Sequence, residues 1–299
     1  MGNFSQEICT KYFSSLKGKI TNLEKRVGGK VIFFDGELNS SSAFHFHKVL
    51  RKLTGKKLFL VLESPGGHID SAAKIIHMCK QYFKEFNVVV PSYAKSAATL
   101  ICVSADNLFL GSGGEMGPVD PQVLHPLEQK TYIPALSIKD ALEFIESSND
   151  PYVKIGLTEK IDPYLMGAYR RVIKLAEQYL HDAHLVKTSK SPKEVIDALT
   201  HKYISHGYPI DIQECEKLGI PLKKFKDEKI MDEVYDLFEE YIDFTITHSE
   251  RLKIGLLILS SNLCMQKIKI IADPLPATIS NLKKEDSCNN SLVQGNLLP

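Results

Sequence analysis

The chain has 299 residues, of which 43% are hydrophobic and 24% are charged. This is the composition of a globular protein, and the length allows one large domain or two small ones. Lysine and arginine number 37 against 36 aspartates and glutamates, which argues against a dedicated nucleic-acid-binding protein, because such proteins carry a basic excess.

The N-terminal segment alternates polar and apolar residues and lacks the continuous apolar stretch of a secretory signal. Residues 1–29 are predicted to form a helical segment that ends at Gly28-Gly29. No run of the chain reaches the ~18 apolar residues that a membrane helix needs, and the six cysteines form no CxxC pair. We therefore expect a cytoplasmic protein with reduced thiols, without an integral membrane segment, a nucleic-acid partner or a metal site.

Apolar runs and turn residues alternate in the next part of the chain. The runs KVIFFD at 30–35 and KLFLVLE at 57–63 predict two buried strands, since both are short and rich in Val, Ile, Leu and Phe. A helix is predicted between them, over residues 40–53. The second strand is followed at once by Ser64-Pro65-Gly66-Gly67, which predicts a sharp turn.

The alternation of helix and strand continues after this turn. Apolar residues at helical spacing predict a helix over 70–86, and a third strand is predicted at 87–90. The small, apolar segment 96–105 predicts a buried helix, and 108–110 a short strand. Strands that alternate with helices predict βαβ units and a largely parallel sheet.

The second half of the chain is predicted to be mainly helical. Ser191 to Glu194 form a capping box with proline at the first helical position, and Asp211 to Glu214 repeat the capping pattern. A further helix is predicted over 227–243, and residues 251–272 are predicted to be rich in strand. From residue 273 onward Pro, Ser, Asn and Lys predominate, which predicts a flexible tail.

Two segments carry residues suited to chemistry. Gly66-Gly67 and Ser96 each follow a predicted strand and precede a predicted helix. Glycine lets a ligand approach the backbone N–H groups, because no Cβ blocks the way, and the N-terminus of a helix favours negative charge. The N–H groups of Gly67 and Ala97 are therefore candidates to hold the oxyanion of a tetrahedral acyl intermediate, at the carboxyl ends of parallel strands.

Four short motifs occur in order: ESPGG at 63–67, AKSAATL at 94–100, GPVDPQ at 117–122 and SHGYPIDIQECEKLGI at 205–220. Together they resemble the serine dehydrogenase proteinase family, a branch of the Clp protease and crotonase superfamily that is related to signal peptide peptidase A. The resemblance covers residues 30–220. It implies an α/β spiral of βαβ units with a helical C-terminal portion.

The resemblance also implies a serine peptidase that acts on a peptide or protein substrate through an acyl-enzyme, without a cofactor. Ser96 is then the nucleophile, and the N–H groups of Gly67 and Ala97 form the oxyanion hole. Family members commonly form symmetric oligomers, so we expect a homo-oligomer. The implied organisation is a leading segment (1–29), a peptidase domain (30–222), a C-terminal extension (223–272) and the tail (273–299).

The catalytic base is the open point of this assignment. In the Clp protease subunit a histidine follows the nucleophile by about 25 residues, but here that region reads GPVDP at 117–121 and the nearest histidine is His125. Relatives of signal peptide peptidase A use a Ser-Lys dyad, in which burial or a positive neighbour lowers the pKa of the lysine. Lys160, just before a predicted long helix, is the first candidate base, and Lys174 and His206 are the alternatives.

Two other functions are compatible with the sequence. A crotonase-type enzyme uses a similar pair of amides on an acyl-CoA thioester, although it has no need of a serine at position 96. A catalytically inactive scaffold of the same fold is the other alternative, and the missing histidine after Ser96 is its main support.

Overall fold

A mostly parallel sheet occupies the centre of the fold in the computed structural model, which describes residues 2–125, 128, 131–183, 188–247, 252–262 and 264–270. The strands are β1 (Lys30–Gly36), β2 (Lys57–Glu63), β3 (Glu85–Val90), β4 (Tyr93–Ala94), β5 (Asn107–Leu110), β6 (Glu115–Met116), β7 (Gln122–Leu124), β8 (Tyr132–Pro134), β9 (Leu252–Ser260) and β10 (Cys264–Ile270).

Helices cover both faces of this sheet and fill most of the second half of the chain. They are α1 (Gly2–Val27), α2 (Ser40–Leu50), α3 (Ile69–Tyr82), α4 (Ala97–Val103), α5 (Ser137–Ser147), α6 (Pro151–Thr158), α7 (Pro163–Asp182), α8 (Pro192–Asp197), α9 (Ile212–Leu218) and α10 (Lys229–Thr247), with a π-helical turn at Ala198–Lys202. Among the described helices, none combines the length and the apolar character needed to cross a bilayer.

The main sheet has six strands in the order β10-β9-β1-β2-β3-β5. In this sheet β1, β2, β3 and β5 run parallel to one another, whereas β9 is antiparallel to β1 and β10 is antiparallel to β9. The predicted α/β fold with βαβ units is therefore confirmed. The strands predicted for residues 251–272 form a hairpin that extends this sheet beyond β1.

The sheet is buried on both faces, which explains why its strands read as continuous apolar runs. On β1, Ile32 and Phe34 belong to a core shared with α2, α3 and α4, whereas Val31 and Phe33 belong to a second core. The second core is closed by α1 and α10, for example through Leu237. The segments predicted as a leader and an extension thus share a core with strands of residues 30–222.

The helix predicted over 70–86 is too long. Helix α3 ends at Tyr82, and the next residue, Phe83, has extended backbone angles (φ −129°, ψ 146°). Phe86 is buried from β3 instead. Two phenylalanines three residues apart continue the helical pattern, so the spacing concealed the change of element.

The predicted capping of α8 and α9 is confirmed, whereas the helix predicted over 227–243 is α10, which spans Lys229–Thr247. Ser191 and Glu194 form a reciprocal capping box at α8, and the Asp211 side chain accepts the Glu214 N–H at α9. Gly219 ends α9 in the left-handed conformation, with φ 77°. The tail predicted for residues 273–299 lies outside the described residues.

The place of β9 in the core yields a stability prediction. Ile258 on β9 is 0% exposed, so Ile258→Ala should lower the free energy of unfolding by about 2–5 kcal/mol. Ile204→Ala removes the same atoms from a side chain that is 99% exposed and should change it by less than about 0.5 kcal/mol. Urea unfolding measures both, and equal losses would show that β9 does not bury Ile258 in solution.

Candidate active site

Short strand pairings bring the four sequence motifs together beyond the carboxyl end of the main sheet. Ser64, in the first motif, forms a parallel bridge with Ala94, in the second. Ala94 pairs in β4 with Met116 of β6, next to the third motif. Met116 pairs in turn with Ile210 of the fourth motif through two backbone hydrogen bonds. Segments more than one hundred residues apart thus lie side by side around Ser96.

Ser96 occupies a strained turn between β4 and α4. Its backbone angles are φ 52° and ψ −121°, and it is the sole non-glycine residue with positive φ in the part of the chain described here. Such conformations cost about 1–3 kcal/mol and are found where a functional site requires them. Although Ser96 is the N-cap of α4, its side chain makes no cap hydrogen bond. The hydroxyl is therefore not engaged in the usual role of a serine before a helix.

The glycine turn after β2 packs directly against Ser96. Gly66 is buried with φ 99°, and a Cβ on it would lie 2.8 Å from Ser96 Cβ and 3.2 Å from the Ala97 nitrogen. The turn is fixed to β1 by Leu38, whose N–H donates to the Gly66 carbonyl and whose carbonyl accepts the His68 N–H, both at 2.7 Å. Glycine is required here because any side chain at position 66 would displace Ser96.

Two backbone donors remain unused at this junction. Within the described residues, no hydrogen bond is made by the N–H of Gly67 or by the N–H of Ala97. Gly67 is exposed, whereas Ala97 is buried at the first turn of α4. Unpaired donors beside a serine are what stabilisation of an oxyanion requires.

Thr99 was not identified from the sequence and anchors the Ser96 turn from inside. Its buried hydroxyl oxygen lies 2.9 Å from the carbonyl oxygen of Ala94 and 2.8 Å from that of Gly117, and it accepts the Gly117 N–H at 3.1 Å. The side chain thus joins α4 to the GPVDPQ segment. The sequence feature that could have identified Thr99 is a polar residue three positions after Ser96 within an otherwise apolar helix.

Lys95 also ties these segments together. Its Nζ lies 2.6 Å from Glu115 Oε1 and donates to the Met116 carbonyl at 3.1 Å. The side chain therefore crosses to the neighbouring segment instead of extending into solvent.

A histidine–carboxylate pair lies between the third and fourth motifs. His206 Nδ1 is 2.7 Å from Asp120 Oδ1, and Gln122 Nε2 donates to Asp120 Oδ2 at 2.9 Å. The Asp120 side chain is 4% exposed and that of His206 is 36% exposed. Because a carboxylate only accepts, Nδ1 is the donor in this bond, and Nε2 lies on the side of the ring away from Asp120. The sequence could not reveal this pair, because its members are 86 residues apart.

The two candidate lysines lie elsewhere on the surface. Lys160 is exposed in the turn between α6 and α7, and Lys174 is exposed on α7. Among the described residues, neither Nζ takes part in a hydrogen bond or an ion pair. Neither lysine is therefore buried, which was one of the two conditions named for a lysine base. His125, the nearest histidine after Ser96 in the sequence, accepts the Glu128 N–H at Nδ1 at 3.1 Å.

Two acidic side chains lie at the carboxyl ends of β1 and β2, below the glycine turn. Glu63 is 2% exposed, and its Oε2 accepts the Tyr93 N–H at 3.1 Å. Burial raises the pKa of Glu63 to about 8 and also raises the pKa of Asp35, to which Tyr241 donates a hydrogen bond. The sequence signal was that both apolar runs, KVIFFD and KLFLVLE, end in a carboxylic acid.

Comparison with known proteins adds family information to this geometry. A family model described as ClpP-like SDH-type serine proteinase matches residues 46–252. Uncharacterized protein MJ0137 of Methanocaldococcus jannaschii is 30% identical over 189 residues, which cover 62% of this chain and 59% of that protein. Uncharacterized protein MJ1495 of the same organism is 27% identical, with 61% and 56% covered. The chain therefore spans less than two thirds of the length of these relatives.

Among solved structures, similar chains include a mutant of the 1510-N membrane-bound stomatin-specific protease in complex with a substrate peptide. Its TM-score is 0.45 at 14% identity, with 67% of this chain and 76% of that chain covered. ClpP1 from Listeria monocytogenes has a TM-score of 0.41 at 16% identity, with 65% and 92% covered.

The contact between Gly66 and Ser96 yields a second prediction. In Gly66→Ala, the new Cβ would lie 2.6 Å from the Lys95 carbonyl oxygen and the residue would keep a positive φ, so we expect a loss of at least about 1–3 kcal/mol in the free energy of unfolding. Gly113→Ala is the matched control, because nothing lies within 4 Å of its Cβ position. Calorimetry of both variants measures the difference, and a Gly66→Ala protein as stable as Gly113→Ala would refute the packing described.

Proposed function

We propose that this chain, which belongs to the ClpP-like SDH-type serine proteinase family, hydrolyses peptide bonds through an acyl-enzyme on Ser96. The observation that carries the proposal is the Ser96 turn. Its positive φ of 52° holds a hydroxyl that caps no helix, beside two N–H groups without partners in the described residues. Strain of this kind persists only where the surrounding structure enforces it, and it is concentrated at active sites.

The proposed reaction uses groups of this chain and water. Ser96 Oγ attacks the carbonyl carbon of the substrate while a base takes the hydroxyl proton. The N–H groups of Gly67 and Ala97 donate to the resulting oxyanion. The base then returns the proton to the leaving amine as the C–N bond breaks. Water attacks the ester in the same way, which releases the acid and restores Ser96.

His206, oriented by Asp120, is the base that the geometry favours. The Asp120 carboxylate accepts the Nδ1 proton of His206 in this proposal, which leaves Nε2 as the acceptor, and the half-exposed ring lies on the segment whose Ile210 pairs with Met116, the partner of Ala94 in β4. Lys160 and Lys174 remain alternatives from the sequence, but their exposure supports them less. In this pair the histidine comes from the fourth motif, whereas in the Clp subunit it follows the nucleophile by about 25 residues.

The wider assignment is also part of this proposal. The substrate is a peptide or protein, the protein is cytoplasmic, and it acts as a homo-oligomer without a metal or cofactor. The oligomer is supported by large apolar side chains that the structure leaves exposed within residues 124–164, since exposed apolar surface of this kind is typical of protein interfaces. They include Leu124, Tyr132, Phe144, Tyr152, Ile155 and Tyr164.

Labelling with a fluorophosphonate probe tests the nucleophile and the base together. Wild-type protein should react at Ser96, and Ser96→Ala should abolish the reaction. His206→Ala should slow labelling by about 100- to 10,000-fold, because general-base assistance is worth that much. Lys160→Ala and Lys174→Ala should label at close to the wild-type rate. Mass spectrometry of the labelled peptide and the labelling rate are the measurements.

Other outcomes would assign another function or another base. A large loss in Lys160→Ala with none in His206→Ala would establish a Ser-Lys dyad. A folded wild-type protein that does not label in any oligomeric state would refute the peptidase. Binding of an acyl-CoA by such a protein would then identify a crotonase-type enzyme, and its absence would favour the inactive scaffold.

A further inference from the structure

Asp35 and Glu63 are neighbours across two parallel strands. They are Cα partners at the last paired positions of β1 and β2, where adjacent strands are about 4.8 Å apart. Both side chains follow the alternation of Val31, Phe33 and Val61, so they lie on the face that α1 and α10 cover. The two carboxyl groups, Glu63 buried and Asp35 half-buried, therefore lie on one face of the sheet, where β2 ends and the glycine turn begins.

No cation offsets the two acids within the described part of the chain, where neither takes part in an ion pair. Tyr241 on α10 donates its hydroxyl to Asp35, and the Tyr12 ring of α1 lies beside Tyr241. Glu63 accepts the Tyr93 N–H and further hydrogen bonds from the backbone and side chain of Ser92, and the Tyr93 hydroxyl also faces the two acids. Burial raises the pKa of Tyr93 and Tyr241, and the charges of the acids raise both further, so both hydroxyls keep their protons. A buried carboxyl beside a half-buried one, without a cation, cannot ionise cheaply together with its neighbour.

Glu63 also lies between the two segments that build the site. Its side chain accepts from Tyr93, while the next residue, Ser64, donates its N–H to the Tyr93 carbonyl at 3.1 Å and accepts the Lys95 N–H at 2.9 Å. These three bonds set the position of β4, which ends two residues before Ser96, relative to the glycine turn. Only the bond to Glu63 involves a group that can gain or lose a proton.

We propose that Asp35 and Glu63 share one proton, and that protonated Glu63 is a positioning residue that holds the Ser96 turn against the glycine turn. Loss of this proton places a second negative charge beside Asp35. Movement of Glu63 toward solvent relieves the repulsion, and it withdraws the acceptor from the Tyr93 N–H. The shared proton does not depend on the proposed function, whereas its effect on acylation rests on it.

The sign of the pH dependence follows from the direction of the shift. The pKa of Glu63 is about 8 in the folded protein, above the usual value of 4.5. The folded state therefore binds the proton more tightly than the unfolded state. The contribution of this proton to the free energy of unfolding is complete below about pH 4.5. It is lost as the pH rises through about 8.

Amide NMR of the full-length protein tests the proposal without requiring catalysis. In the wild type, the Tyr93, Gly67 and Ala97 amide signals should shift together with a midpoint near pH 8. In Glu63→Gln, which keeps the shape of the protonated acid, this common titration should be absent. Glu85→Gln is the matched control, because Glu85, at the start of β3, pairs with Lys57 at the opposite end of β2 from Glu63, and it should titrate like the wild type.

The fluorophosphonate rate gives a second readout on the same samples. It should fall at least about tenfold above pH 8 in the wild type and in Glu85→Gln, since a displaced oxyanion donor costs that much or more, and Glu63→Gln should lack this fall. If only the Tyr93 amide titrates, Glu63 does not position the site. If no amide shift disappears in Glu63→Gln, the shared proton itself is refuted. If the protein does not label but the three amide signals still titrate together, the proposed peptidase activity is refuted and the positioning role of Glu63 is not.

Discussion

The contact between the glycine turn and the Ser96 turn is the constraint on which the rest of the site depends. The Ser96 turn is unfavourable alone, since a serine has positive φ there, whereas the glycine turn tolerates the positive φ of Gly66. Hydrogen bonds between Ser64 and residues 93–95 hold them together, and Thr99 fixes the far side of the turn to the next segment. The strained conformation of Ser96 is therefore maintained by hydrogen bonds between other residues.

The strands, the glycine turn and the start of α4 could be predicted because they depend on local signals. Strands buried on both faces read as apolar runs, and Gly66-Gly67 and Ser96 follow them directly. The end of α3 was misplaced, since Phe83 and Phe86 keep the helical spacing although they belong to different elements. Local pattern identifies an element better than it identifies where that element stops.

The polar contacts of the site could not be predicted from the sequence. Asp120 meets His206 across 86 residues, and Asp35 meets Tyr241 across 206. Each pairing is decided by how the sheet and its covering helices assemble, and no spacing rule along the chain encodes it. The candidate base was placed on Lys160 for the same reason, because a sequence shows a lysine before a helix but not whether that lysine is buried.

The position of β9 bears on when the fold can be completed during synthesis. β1 pairs with β2 early in the chain, but its other edge is covered only by residues 256–260, and α10 supplies Tyr241 to the acid pair. Contacts of such large sequence separation form late, after the entropy of closing a long loop has been offset. A nascent chain can therefore assemble the β1–β5 region first, with the outer edge of β1 open to the wrong partner until the C-terminal hairpin leaves the ribosome. Completion of the sheet thus waits until residues 252–260 have been synthesised.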